Sequence, residues 1–349
     1  MIQLKESVRN LIPYRLNDIS YKIKLDANEG KNYLLTEQID LARNFEPNIY
    51  PDSDAIELRE KMAEYYGCSL DNIIVGNGSS DMINLVINAY CEKGEKVLSF
   101  TPSFSMYKTY CKLCSAKYVT VPCNDDYTQN IDKLIQRASE INPKIVIICT
   151  PNNPTGYVTE KRDIVKVLDR ITNSIVIVDE AYIDFGGAST VDLINKYDNL
   201  IVMRTLSKAF GLAALRVGCL IANEELVKLL WKVKVPYNLN SVSQYIAVKA
   251  FNKIELVKQY VKETIERREK LSKNLKTLGF TVYPSGSNYI FVNSQIENLF
   301  EKLANKGILI RKFSKDLEKC YRITVGTKEE NEFLIQTIEE IIWKWGKVK

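Results

Sequence analysis

Residues 144–151 read KIVIICTP, residues 174–182 SIVIVDEAY and residues 199–207 NLIVMRTLS. Each is a near-continuous Val/Ile run that ends in polar, chemistry-bearing residues. A strand that is apolar at successive rather than alternate positions is covered on both faces, as in a mainly parallel sheet between layers of helices. Similar runs extend the pattern outward: NIIVGNG (72–78), EKVLSFTP (95–102) and AKYVTVP (116–122) before these, and VGCLIAN (217–223) after them. Amphipathic stretches at 54–66, 80–91, 160–171 and 224–234 fit helices between the strands. A spacing of about 20–30 residues per unit suits successive strand–helix modules.

Beyond residue 250 the pattern changes. A long charged helix (253–278) is followed by strand-like FTVYP (280–284) and NYIFVNS (288–294). A helix at 295–305, the run GILIRKF (307–313), the strand YRITVG (321–326) and a last helix (328–345) complete the chain. The expectation is an α/β protein with a mainly parallel central sheet and helices on both faces in a large domain, 31–250, plus a smaller α+β domain, 251–349. Residues 1–30 carry no strong pattern and are expected to form an N-terminal arm against the smaller domain. A length of 349 residues suits that division.

Composition narrows the function classes. The chain is 46% hydrophobic and 26% charged, ordinary for a globular protein. Its net charge of +5 comes from lysines scattered over helices, so no nucleic-acid partner is expected. No apolar run approaches the roughly 20 residues that span a bilayer. The opening MIQLKESVRNLIPYRLND lacks an apolar signal core. No membrane association is expected, and the cytoplasm is the default location. The eight cysteines then read as free thiols. The pair in CKLC (111–114) has no second pair at zinc-finger spacing, and no metal is expected. The chain has no histidine at all. That excludes Ser-His-Asp and Cys-His catalysis and His-bound metals, leaving Lys, Asp, Glu, Tyr, Cys or a cofactor to do any chemistry.

Four motifs fall at the carboxyl ends of expected strands, where open α/β sheets bind ligands. In TLSK (205–208), Lys208 follows a buried strand and two hydroxyl residues, with Arg216 eight positions on. Pyridoxal phosphate needs a lysine amine to condense with its aldehyde, and hydroxyls plus an arginine to hold its dianionic phosphate. In VDEAY, Asp179 ends a strand, where a buried carboxylate can keep that cofactor's pyridine nitrogen protonated; Tyr182 can reach its phenolic oxygen. An acidic strand terminus also serves metals in nucleotide hydrolases, but no G-x-x-x-x-G-K-[ST] loop accompanies it. TPNNPTG (150–156) is a proline-fixed turn that can aim Asn153 at the same oxygen. GNGSSD (76–81) lacks the third glycine of a dinucleotide fingerprint. Its Gly78, Ser79 and Ser80 open a helix, which suits a phosphate, or simply an N-cap. Phe104 in TPSFSMY (101–107) can stack on a flat ring.

Together with IYPD (49–52), RTLSKAFGLAALRVG (204–218) and YRITVGT (321–327), these strings resemble the fold-type I pyridoxal-phosphate aminotransferases, and among them the histidinol-phosphate aminotransferase family. The resemblance runs from about residue 25 to the C-terminus. It implies that Lys208 binds the cofactor and that Asp179 partners its ring nitrogen, with Asn153 and Tyr182 at the phenolic oxygen. Thr205, Ser207, Arg216 and the Gly78–Ser80 backbone would hold the phosphate, and Phe104 would cover the ring. Tyr50 would be donated across a homodimer interface to the neighbour's phosphate site. Arg322 and Arg311 would bind the substrate's anionic group. The implied reaction passes an amino group from a small-molecule donor, histidinol phosphate first among them, to 2-oxoglutarate. Departures lie in LDANEGKNYL (25–34), which lacks the family's proline, in Phe104 where Tyr is commoner, and in Ala214 where glycine is usual. Aromatic aminotransferases and a threonine-phosphate decarboxylase share the scaffold and are the alternatives. A regulator built on it would need a preceding DNA-binding module, for which no room is expected.

Overall fold

The computed structural model describes residues 4–9, 11, 19–33 and 46–346. In chain order the strands are β1 (Ile23–Leu25), β2 (Ile73–Asn77), β3 (Lys96–Thr101), β4 (Lys117–Pro122), β5 (Ile145–Cys149) and β6 (Ile175–Asp179). They continue with β7 (Leu200–Thr205), β8 (Val217–Ala222), β9 (Thr281–Val282), β10 (Tyr289–Asn293), β11 (Ile308–Lys312) and β12 (Cys320–Thr324).

Seven strands form the large sheet in the order β2-β8-β7-β6-β5-β3-β4. Pairing is parallel from β7 through β6, β5 and β3 to β4, whereas β8 runs antiparallel to both β7 and β2. The expected runs are all present, and the reversed strand is the one feature of the sheet that they do not announce. Because β8 is reversed relative to both neighbours, β2 points the same way as β7. The carboxyl ends of β2, β3, β5, β6 and β7 therefore share one edge.

Alternation along each strand divides the core in two. Val146, Ile148, Val178 and Val202 pack on one face, against Met62, Val167 and Phe251. Ile147, Cys149, Ile177 and Met203 pack on the other, against Ile83, Tyr107 and Leu226. The helices Ile56–Tyr66, Ser79–Tyr90, Lys161–Arg170 and Glu224–Trp231 lie within the expected stretches, trimmed or shifted by one to three residues at their ends. Three others complete the layers: Met106–Leu113, Ile131–Ile141 and Ser241–Phe251. Asn130 and Asn240 cap the last two through side-chain oxygens that accept from the N–H of Lys133 and Ser243.

A second sheet, ordered β1-β11-β12-β10-β9, is antiparallel except where β1 joins β11. The expected 295–305 helix shortens to Leu299–Ala304 and the FTVYP strand to two residues. Within the segment expected to be a patternless arm, Ile23–Leu25 adds an edge strand to this sheet. Three residues are too few to show a period. The helix Ile254–Thr277 spans both cores, burying Val257 and Tyr260 against the first and Leu271 and Leu275 against the small-sheet cluster. All eight cysteines are free, Cys111 and Cys114 lying on and just after one helix. Among the described residues no helix is long and apolar enough to cross a membrane.

Candidate active site

At the shared carboxyl edge, Lys208, Tyr182, Asn153, Phe104, Arg216, Arg311 and Arg322 line a cavity of about 530 Å³. Lys208 lies three residues beyond the end of β7. Its Nζ donates to the Ala27 carbonyl at 3.1 Å and lies 5.6 Å from the Tyr182 ring centre. Burial lowers its pKa to about 7; Arg322 and Arg216 push the same way, and Glu29 opposes them. An amine so placed is substantially neutral near physiological pH, which makes it both a nucleophile and a base.

Asp179 is buried at the end of β6, directly across from Cys149 of β5. Its Oδ2 accepts from the Tyr107 hydroxyl at 2.5 Å and its Oδ1 from the Ala181 N–H at 3.2 Å. Burial raises its pKa, and the two donors pull it back. Tyr182 receives a hydrogen bond from Asn28 Nδ2 at 3.0 Å, and burial pushes its phenol up to about 12.

The 150–156 turn is held by its buried Asn152. That side chain donates to the Pro102 carbonyl and Thr155 Oγ1 and accepts from Ser103 Oγ. Tyr289 OH donates to its carbonyl at 2.7 Å. Asn153, thus presented to the cavity, accepts from Arg322 Nη1 at 2.6 Å. Arg322 also donates to the Asp26 carbonyl at 2.6 Å. Arg311 and Arg322 are register partners on β11 and β12 and both line the cavity. Two guanidinium groups on neighbouring strands concentrate positive charge on this side of the cavity, which suits an anion.

An anion cradle lies beside Lys208. Thr205 Oγ1 and Ser207 Oγ are 3.0 Å apart, and Arg216 Nη1 reaches Ser207 Oγ at 3.5 Å. The helix Ser79–Tyr90 starts at Gly78 without a side-chain cap, which leaves its first turn able to bind an anion. Gly78 has φ 86°, and a Cβ there would stand 2.7 Å from Arg216 Nη2. A Cβ on Gly218 would come within 2.2 Å of the Ser79 nitrogen. The absence of both side chains keeps room for a phosphate. Cradle, carboxylate and lysine match the dianionic phosphate, basic ring nitrogen and aldehyde of pyridoxal phosphate.

Of the residues expected from sequence, Tyr50 alone stands apart from this assembly. It is 76% exposed and stacks on Tyr237 with ring centres 4.5 Å apart. Gly78, Thr205, Ser207 and Asp179 are buried and Ser79 and Ser80 half-buried in the floor and cradle, while the others line the cavity. Sequence reasoning passed over Asp26, Ala27 and Asn28, and over Phe313 and Leu317, which line it too. It also gave no role to Tyr107. Asn28 could have been singled out from the LDANEG string, but its hydrogen bonds to Tyr182 and Thr324 join distant parts of the chain.

The reversed β8, the lysine after β7 and the carboxylate that ends β6 define a lysine-centred, cofactor-dependent enzyme of fold type I. The family model "Aminotransferase class I and II" matches residues 21–338. The chain belongs to that family, whose members work with pyridoxal phosphate. It is 42% identical over 348 residues to a histidinol-phosphate aminotransferase of Caldanaerobacter subterraneus, covering 97% of this chain and 98% of that one. Among solved structures, the histidinol-phosphate aminotransferase of Sinorhizobium meliloti in complex with pyridoxal-5'-phosphate superposes with a TM-score of 0.89, at 20% identity over 99% of both chains. An L-threonine-O-3-phosphate decarboxylase of Porphyromonas gingivalis shares the fold, with a TM-score of 0.76 and 23% identity over 90% of this chain and 99% of that one.

Proposed function

We propose that this enzyme transfers the amino group of histidinol phosphate to 2-oxoglutarate, within histidine biosynthesis. The observation that carries the reading is the cross-strand pair Arg311 and Arg322, facing a cavity that Lys208 also lines. Arg216 and its cradle are placed for the cofactor phosphate, whereas Arg311 and Arg322 face the same cavity from the small sheet and are placed for substrate. Histidinol phosphate offers them a phosphate dianion and no carboxylate, whereas 2-oxoglutarate offers two carboxylates. One arginine pair can serve both in turn. The 42% identical relative named for that activity supports the same choice.

Pyridoxal phosphate supplies an aldehyde that captures amines and a ring that accepts electrons from a deprotonated carbon. Lys208 Nζ would move the proton, taking it from the substrate carbon and delivering it to the former aldehyde carbon on the other side of the nitrogen, two bonds away. Asp179 keeps the ring nitrogen protonated. Asn153 and Tyr182 hold the phenolic oxygen, and Phe104 covers one ring face. Thr205, Ser207, Arg216 and the backbone of Gly78, Ser79 and Ser80 bind the phosphate. We assign Tyr50 to the phosphate site of a second copy in a homodimer, since its exposed ring stacks on the exposed Tyr237 and follows the exposed Ile49 in the chain. The division into 31–250 and 251–349 and a cytoplasmic location belong to the same proposal. The N-terminal segment is not confined to the smaller part, since Ser7 accepts from Ser115 Oγ beside the helix Met106–Leu113, while Ile23–Leu25 joins the small sheet.

Incubation with histidinol phosphate and 2-oxoglutarate, followed by glutamate detection, tests the substrate. Threonine phosphate with carbon dioxide detection is the control. Carbon dioxide release without glutamate formation would overturn the proposal in favour of a decarboxylase. The protein should be yellow with its cofactor and lose its visible band in Lys208→Ala.

A further inference from the structure

Tyr107 has no part in the reading above, although it makes the shorter of the two hydrogen bonds to Asp179 given above. It is the second residue of the helix Met106–Leu113 and is fully buried, with its ring edge-on to Phe104 at 5.4 Å and 85°. Its hydroxyl donates to Asp179 Oδ2 at 2.5 Å, while the Ala181 N–H holds Oδ1 at 3.2 Å. Each oxygen of a carboxylate can accept two hydrogen bonds. With one donor on each, the group is locked in rotation and still has sites for a third donor.

The surroundings otherwise disfavour a charged carboxylate. Burial raises the pKa of Asp179, and Glu180 beside it adds to the rise. Cys149, Tyr110 and Tyr182 are the other titratable groups near it, and burial keeps all three protonated well beyond neutral pH. Tyr107 itself is pushed well above its ordinary value by burial, so it remains a neutral donor. A histidine in its place would titrate and could set a cation beside the ring nitrogen; tyrosine donates without that charge.

We propose that Tyr107 is a positioning residue for Asp179: its hydroxyl orients the carboxylate and holds it ionised, so that the proton it shares with the cofactor stays on the ring nitrogen. This rests on the assignment of Asp179 as the partner of that nitrogen. A hydroxyl bonded to an ionised carboxylate is among the stronger hydrogen bonds. Its loss would move the proton balance toward the carboxylate by about ten- to a hundredfold.

The test is Tyr107→Phe as holoenzyme, loaded with pyridoxal phosphate labelled with ¹⁵N in the ring. The wild-type ¹⁵N resonance is expected at the protonated position, and that of Tyr107→Phe displaced toward the unprotonated one. The kcat should fall by about tenfold or more, with KM for the amino donor within about twofold. Should Tyr107→Phe fail to fold, para-aminophenylalanine at position 107, a weaker donor of nearly the same shape, is expected to move the resonance part of the way. A wild-type resonance in whichever of the two variants folds overturns the role of Tyr107 and leaves Asp179 in place. An unprotonated ring nitrogen in the wild type overturns both. A wild type that binds no cofactor would refute the functional reading itself.

Discussion

Lys208→Met should stabilise the cofactor-free protein at neutral pH. The amine is held at about 7 rather than 10.5, first by burial, then by the charge of Arg322 and, beyond Glu29's opposing pull, of Arg216. A lysine whose folded pKa lies below its unfolded one costs stability wherever the unfolded chain is protonated. The cost is full below pH 7, shrinks as pH rises from 7 to 10.5, and vanishes above that range. With about 1.36 kcal/mol per tenfold change, the cost is about 4 kcal/mol at pH 7 and about 2 kcal/mol at pH 9. Methionine keeps most of the apolar stem and loses the hydrogen bond to the Ala27 carbonyl, worth about 1 kcal/mol. The cofactor-free variant should therefore exceed the wild type by about 3 kcal/mol at pH 7 and about 1 kcal/mol at pH 9, match it a little below pH 10, and fall slightly below it at pH 10.5. Urea unfolding of both proteins from pH 6 to 10.5 measures this difference. In an Arg322→Gln background the gap should narrow, because the lysine regains basicity. A gap independent of pH, or a wild type more stable at pH 7, would refute the account of Lys208 as a buried, weakened base.

Three further outcomes are expected. Arg204→Ala strands Glu180 and Asp184, to which Arg204 donates at 3.2 and 2.7 Å, and should destabilise the fold by about 3–5 kcal/mol in chemical denaturation. Gly218→Ala forces β8 away from the Ser79 nitrogen; cofactor affinity by fluorescence titration should drop by at least about tenfold, while circular dichroism stays native. If Tyr50 acts across a dimer, mixing Tyr50→Ala with Lys208→Ala subunits should give more activity than the two parents together, since one hybrid site keeps both residues.

Much of this architecture was legible because burial on both faces writes a strand as an unbroken Val/Ile run. Val146, Ile147 and Ile148 pack on opposite sides of the sheet, so none can be polar. The site motifs were legible for a related reason: each follows such a run and breaks it with residues that have no place in a core. The direction of β8 was not legible, since VGCLIA reads the same whichever way it is paired. The Ile131–Ile141 and Ser241–Phe251 helices carry their signal in the caps Asn130 and Asn240.

Legible in the sequence alone were a lysine, a carboxylate and a candidate phosphate cradle at strand ends, and two arginines in later strand-like runs, of an α/β chain without histidine. Those are properties of residue type and local pattern. Tertiary structure decided how they act on one another. Tyr107 meets Asp179 across 72 residues of chain, and Arg322 meets Asn153 across 169. Arg311 faces Arg322 only through the register of β11 and β12. The lowered pKa of Lys208 is likewise a sum over groups from several segments, because burial and Coulomb interaction depend on distance in space and not along the chain.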